Sequence, residues 1–527
     1  MRKFAYDGPP DPELHYCASR QAVIDGIIQH LKGENPDHWG HYITVWAPRQ
    51  TGKTWIMREA LATIKRENKF DVSLLDLQDL EAITDVHRVA QKLTQKLLKH
   101  MNIEKDLTVN MLDELEEVFK RSTFSKPLIL ALDKFDDLEE SVIIGLANVF
   151  RHIYHMRTNP TDKSIADNDY RLHGLALIGA HPLLAIENAK VPYNVQRSVA
   201  IPNLTYDDVG ELFNQYQQEH EQTIEPEVVE RIWSEFQGQP GLTCWFGELL
   251  TDTYNQATDK PITIEHFEKV HATALNLPNG NILNLISKAK QERYKPFVLE
   301  MFTQTKLKLI YLDPIIDFLY LNGVVSLEQV SLRDNYVKFS CPFVQKRLFS
   351  YFARDLFPDM DGSQDPFEDL SDTITEDSLN IRRLLQKYEE YLQVNREQVL
   401  KDAPRRRSNL RVYEAVFYFH FYLYLESFCR SYQVQLDFLT NNDATDLLIR
   451  YAGQLFGLEL KTFSNQHMYH QMLDQAAQYG QQLGLTSIWL VFFVEAVDDK
   501  NRGRFEVDYT DSERGVTVHP IFVQTGK

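Results

Sequence analysis

Apolar positions along this chain follow two periods, and the changes between them mark its elements. Early on, short apolar runs at Tyr42–Trp46, Val72–Leu77, Leu128–Leu132 and Leu175–Ile178 alternate with stretches of helical spacing. That alternation predicts an α/β domain, a parallel sheet flanked by helices, over residues 1–280. Past residue 280 the pattern changes: helical spacing from Leu312 to Asn322, a break at Gly323, strand-like runs at Val324–Ser326 and Tyr336–Phe339, and a helix from Pro342 through Phe352. Residues 358–377 are acidic, carry Pro and Gly, and hold no apolar period, which predicts a linker between a 281–357 domain and a 378–527 domain. Beyond it the pattern predicts helices over Leu379–Leu400 and Asn409–Tyr432, separated by a breaker at Asp402–Ser408. Strands are predicted at Val434–Phe438, Thr445–Tyr451, Leu455–Phe463 and Ser487–Phe493, with Ala452-Gly453 turning a hairpin. No internal repeat is visible.

The first chemistry lies where the Tyr42–Trp46 run meets helical spacing. Ala47-Pro-Arg-Gln50-Thr51-Gly52-Lys53-Thr54 reads as a phosphate-binding loop, in which a strand turning sharply into a helix aims backbone N–H groups at one spot. Lys53 supplies a point charge for the β- and γ-phosphates, and the Thr54 hydroxyl is suited to Mg²⁺. Ala47 replaces the usual first glycine, a small cost because the closest backbone approach is near Gly52. Asp133 ends the Leu128–Leu132 run, a position from which a carboxylate holds the nucleotide's Mg²⁺; the competing reading is a cap or turn former.

These pieces, with Gly8-Pro-Pro-Asp-Pro12, Tyr16 through Arg20, Leu75-Asp-Leu-Gln78, Leu-Ile-Gly179-Ala and Gly238-Gln-Pro240, resemble the bacterial AAA-like, STAND-related ATPases over about residues 1–280. The resemblance implies ATP as ligand, a helical lid, and a nucleotide-sensing role for Pro240. Lys134 stands where active members often carry a water-polarising glutamate, so hydrolysis is expected to be slow or to use Asp136 or Asp137. Residues 281–357 are similar to a winged helix with Arg333-Asp-Asn335 at the wing tip. With only Lys346 and Arg347 as nearby cations, a relay role is favoured over DNA binding.

The second chemistry lies in the last domain. Period-2 geometry puts Glu459 and Lys461 on one face of a strand, with Asp446 on its hairpin partner. Two carboxylates so placed bind Mg²⁺ (or Mn²⁺) while the lysine steadies the attacking water; a solvated hairpin is the plain alternative. Gln475 and Tyr479, four apart on the next predicted helix, share a face. This order resembles the PD-(D/E)XK nucleases, particularly the RecB-type and phage-defence branches with the Q-x₃-Y element. The resemblance implies metal ligation by Asp446 and Glu459, catalysis by Lys461, and orientation by Gln475 and Tyr479. Glu414 is the candidate first-helix carboxylate, with Glu426 as rival. Arg405, Arg406, Arg407 and Arg411 form the candidate phosphate track, or else a solvated face or a partner for the acidic linker.

Composition narrows the classes. Hydrophobic content of 43% and charged content of 25% suit a globular chain of 527 residues, and a net charge of -19 excludes nonspecific avidity for nucleic acid, so any DNA contact is local. Four cysteines without a C-x-x-C pair indicate neither a zinc site nor a disulfide framework, as in a reducing cytoplasm. The N-terminus shows no apolar leader, and Val416–Leu425 is too short to span a bilayer, so no membrane is expected. The combined expectation is an ATP-regulated, metal-dependent DNA nuclease, answering to a protein trigger or to self-assembly, in defence against foreign DNA. The rivals are an ATP-binding sensor or scaffold with a silent nuclease fold, and an ATPase of DNA mobility or repair.

Overall fold

A computed structural model describes residues 1–526 apart from 7, 9, 36–38, 106, 159–168, 180–196, 256, 305–306, 311–312, 330–334, 361–369, 408, 433, 442–443 and 464–465. Side chains at 329, 431, 438–441, 444–446, 462 and 466–467 also lie outside the description. The chain divides into two compact units: Met1–Leu277 with Tyr320–Gly323, and Pro278–Leu319 with Val324–Lys527.

The first unit holds a five-stranded sheet of β1 (Tyr42–Trp46), β2 (Asp71–Asp76), β3 (Leu128–Asp133), β4 (Leu172–Gly179) and β5 (Arg197–Ala200), in the order β2-β3-β4-β1-β5. Every pairing is parallel, as the alternating pattern predicts. Strand β3 is buried throughout because both its faces are covered. Leu128, Leu130 and Leu132 join the core beneath the helix Val86–His100, while Ile129 and Ala131 join the core beneath the helix Lys53–Arg66. Helices on opposite faces open a crevice at the carboxyl ends of the strands. Strand β5 is too short, with alternate residues exposed, to stand out in the sequence. Helices Tyr206–His220, Pro226–Phe236, Pro240–Glu248 and Ile264–Ala274 complete the unit. Thr205 and Asp208 form a capping box at the first of these, and prolines occupy the first turns of the next two.

The second unit begins with helices Gly280–Ala289, Lys295–Met301, Pro314–Leu321 (apart from its last two residues) and Pro342–Leu356 around a small sheet of β6 (Leu307–Lys308), β7 (Val325–Gln329) and β8 (Asn335–Phe339), ordered β6-β8-β7. Gly323, at φ 74°, follows the end of the helix Pro314–Leu321, and Arg333 and Asp334 of the expected wing tip lie outside the described residues. A larger sheet follows: β9 (Gln435–Asn441), β10 (Ala444–Tyr451), β11 (Gln454–Thr462), β12 (Ser487–Val494), β13 (Tyr509–Asp511) and β14 (Val516–Gln524), ordered β13-β14-β12-β11-β10-β9. Strands β9, β10 and β11 form an antiparallel meander, whereas β12 and β14 run parallel to β11. Ala452 and Gly453 turn the expected hairpin with φ 48° and 74°. Neither β13 nor β14 was expected from the pattern.

Two expectations need correction. The helix anticipated from Asn409 starts at Ala415, because Arg405 and Val412 form an antiparallel bridge and Leu410 takes φ 58°, so the arginine cluster sits on a loop. Within the anticipated linker, 361–369 lie outside the description, but the following residues are packed: Leu370 and Thr373 are buried, and Asp372 pairs with Arg383 at 2.6 Å. The helices Lys295–Met301 and Pro342–Leu356 share an aromatic core with the helix Ala415–Tyr432, where the Phe419 ring centroid lies 5.3 Å from that of Phe302 and 4.7 Å from that of Phe349.

Phe419 is fully buried there. Phe419→Ala should therefore cost about 3–5 kcal/mol. Calorimetry should show the transition of the second unit lowered while that of the first is unmoved.

Candidate nucleotide site and a buried carboxylate–lysine pair

The loop after β1 folds as its residues require. Gly52, at φ 88°, adopts the left-handed conformation that caps the helix Lys53–Arg66. Ala47 packs its methyl into the core, which is why the missing glycine is tolerated. Thr51 is buried, its hydroxyl donating to Pro48 O at 2.9 Å. Lys53 Nζ donates to the carbonyl oxygens of Ala47 and Pro48 at 2.6 and 2.8 Å. Burial pulls the Lys53 ammonium down to about 8, with Asp136 and then Asp133 opposing that shift.

The Thr54 hydroxyl donates to Asp133 Oδ2 at 2.6 Å, joining the two residues expected at Mg²⁺. Strand β4 lies between β1 and β3 and ends in Gly179, where a Cβ would strike the Asp136 carboxylate. The lid residues also meet the loop. Gly241 N donates to Gln50 O at 3.2 Å, and the Gln50 side chain packs on Gly241 where a Cβ would collide, beside Pro240 at the helix start. A cavity of about 290 Å³ opens here, lined by Tyr6, Arg20, Lys53, Leu204, Leu212 and Pro240 among others.

Lys134 turns away from this crevice. At φ 59° it sends Nζ to Asp76 Oδ2 at 3.0 Å and to the Gln78 side chain. Asp137 is pushed up by burial and then by Asp136.

In the second unit, Lys461 Nζ meets Glu459 Oε1 at 3.0 Å, with Glu459 only 4% exposed. The other carboxylate oxygen of Glu459 is buried without a hydrogen-bond partner among the described residues. The backbone of Asp446 lies opposite Glu459 in the β10–β11 ladder, while its side chain lies outside the description. Among the described residues no three His, Cys, Asp or Glu side chains converge as a metal site.

The remaining candidates scatter. Gln475 is exposed on the helix Gln466–Gln482, whereas Tyr479 is buried in the core with Ile488, Leu490 and Val516. Glu414 accepts two bonds from Arg406, at 3.2 and 2.6 Å, and Arg406 also faces Glu300 at 3.5 Å. Arg411 reaches Glu495 at 3.6 Å. Among the described residues the arginine cluster is thus partly neutralised by Glu414, Glu300 and Glu495, while linker residues 361–369 lie outside the description. Arg405 and Arg411 still line a cleft of about 700 Å³ with Glu414 and Glu495.

Residues 26–255 match the sequence family described as an AAA-like domain, and they form an AAA-like P-loop ATPase domain. No curated protein sequence matches the chain. Among solved structures, the Walker-type ATPase of Pyrococcus abyssi is 14% identical over 66% of this chain and 99% of its own, with TM-score 0.42. The Aeropyrum pernix ORC1 protein in complex with DNA is 17% identical over 63% of this chain and 92% of its own, with TM-score 0.33. Drosophila ORC bound to DNA is 13% identical over 80% and 89%, with TM-score 0.39. Likenesses at this level carry no argument about function. Among the described residues no helix is long and apolar enough to cross a membrane.

Lys461→Met should destabilise the second unit by about 3–5 kcal/mol, because it strands the buried Glu459 carboxylate. Adding Glu459→Leu should recover most of that loss. Denaturant titration of both variants checks the pair, and equal loss in single and double variants would contradict the ion-pair assignment.

Proposed function

We propose that the first unit is an ATP-dependent switch and that the second unit acts on nucleic acid under its control. The observation that carries the reading is the Thr54–Asp133 hydrogen bond below the Gly52–Lys53 helix start. Donors for phosphate and ligands for its cation meet at one point. Thr54 and Asp133 would hold Mg²⁺, which screens the phosphate charge when bound. Lys53 binds the phosphates, Thr51 braces the loop through Pro48 O, and Gln50 couples the loop to the lid at Gly241, beside Pro240. With Lys134 held by Asp76, the water-polarising role falls to Asp136, and slow turnover suits a switch better than a motor.

Lys53→Ala should abolish ATP binding, because it removes the charge-assisted phosphate contact. In the wild type, the Lys53 ammonium is present below about pH 8 and lost above it. ATP affinity should therefore fall as pH rises from 7 to 9, and binding near pH 8 should take up a proton. Calorimetry in buffers of different ionisation enthalpy measures both. A pH-independent affinity, or unchanged binding by Lys53→Ala, would contradict the assignment.

For the second unit the first reading is a nucleic-acid-binding sensor, supported by the exposed arginines at the 700 Å³ cleft. A second reading, a Mg²⁺- or Mn²⁺-dependent PD-(D/E)XK nuclease, is favoured by one observation: the buried Glu459 with an unpartnered oxygen, beside Lys461 and opposite the Asp446 backbone. In that reading Asp446 and Glu459 hold the metal and Lys461 stabilises developing charge. Residues 281–357 are read as a winged-helix relay. Plasmid incubated with Mg²⁺ or Mn²⁺, with and without ATP, separates the readings. The nuclease predicts cleavage that Asp446→Ala abolishes with ATP binding intact. Binding without cleavage under every condition leaves the sensor.

A further inference from the structure

In the second unit a cavity of about 280 Å³ opens between the end of the helix Pro342–Leu356 and the helices Ile381–Leu400 and Ala415–Tyr432. It shares only Lys401 with the arginine-lined cleft, and no residue with the nucleotide cavity. His420 lines it at 1% exposure, and its Nε2 is buried without a hydrogen-bond partner among the described residues. A buried polar atom left so calls for a partner. The other ring nitrogen, Nδ1, lies 3.1 Å from the Tyr388 hydroxyl, which in turn reaches Phe417 O at 3.5 Å. Tyr388 does not line the cavity, so the imidazole edge that does is the one carrying Nε2. Burial pulls the His420 imidazolium down to about 3, so the ring is neutral and holds one proton. With that proton on Nδ1, the imidazole donates to the Tyr388 oxygen while the Tyr388 hydroxyl donates to Phe417 O, and both bonds form at once. Nε2 is then a bare acceptor.

The rest of the lining narrows what can reach that acceptor. Tyr391 stacks on the imidazole with ring centroids 5.9 Å apart, and Phe357 meets it edge-on at 5.0 Å, so the floor is aromatic and suits a flat ring. At the exposed rim the carboxylates of Asp359 and Asp402 outnumber the ammonium of Lys401. Aromatic faces below and carboxylates above favour a cationic ligand. We propose that this cavity binds a small aromatic amine, whose ring N–H or hydroxyl donates to His420 Nε2 and whose ammonium is held at the rim by Asp402 and Asp359. Such a ligand touches all three helices, so its binding stabilises their junction.

The test is calorimetric titration of the full chain with tryptamine, whose indole N–H and ammonium supply both contacts. Its ring-N-methylated analogue and plain indole each lack one of them. The wild type should bind tryptamine about tenfold more tightly than the N-methylated analogue, and tryptamine should raise its melting temperature. His420→Phe keeps the aromatic wall but removes the acceptor, so that preference should shrink to about twofold or less. Asp402→Asn should weaken tryptamine by about threefold or more and leave indole unchanged, which carries the test even if His420→Phe does not fold. No binding of tryptamine to the wild type at millimolar concentration would overturn the assignment and leave the cavity to water. Equal affinity for tryptamine and its N-methylated analogue, a preference that survives in folded His420→Phe, or tryptamine affinity unmoved by Asp402→Asn would overturn it as well.

Discussion

The first unit depends on one polar contact made across a strand. Thr54 follows β1 and Asp133 ends β3, yet β4 lies between those strands, so the 2.6 Å bond spans its end. It does so where β4 finishes in Gly179, over which the Asp136 carboxylate sits. The apolar residues of β3 set this arrangement from below, with Leu128, Leu130 and Leu132 in one core and Ile129 and Ala131 in the other, and they fix the height at which Asp133 emerges. Core packing thus positions polar groups that cannot pack themselves.

The second unit buries charge differently. Glu459 and Lys461 stay together under the sheet surface, an arrangement that contributes little net stability but is costly to half-remove. At the loop before the helix Ala415–Tyr432, Arg406 answers both Glu414 and Glu300. Glu414 is thereby committed to an ion pair that also ties the loop to the helix Lys295–Met301. The aromatic cluster around Phe419 makes the same junction with apolar surface.

Much of this was legible in the sequence because it depends on local order. The apolar runs foretold β1 to β4, and Gly52-Lys53-Thr54 foretold the loop, since each signal lies within a few adjacent residues. Ala452-Gly453 likewise announced its hairpin. What escaped depends on distant partners. Nothing local tells that Lys134 pairs with Asp76 or that Arg406 occupies Glu414. The four-residue spacing of Gln475 and Tyr479 placed them on neighbouring turns, but burial separates them, because the sheet covers only part of the helix surface.

The central claim is that Gln50 through Thr54 close on a triphosphate. Hydrogen–deuterium exchange of the backbone amides with and without MgATP tests it most directly, because those N–H groups are the proposed ligands. The account predicts slowed exchange concentrated at residues 50–54 on adding MgATP. Unchanged exchange in that segment at saturating MgATP would contradict it.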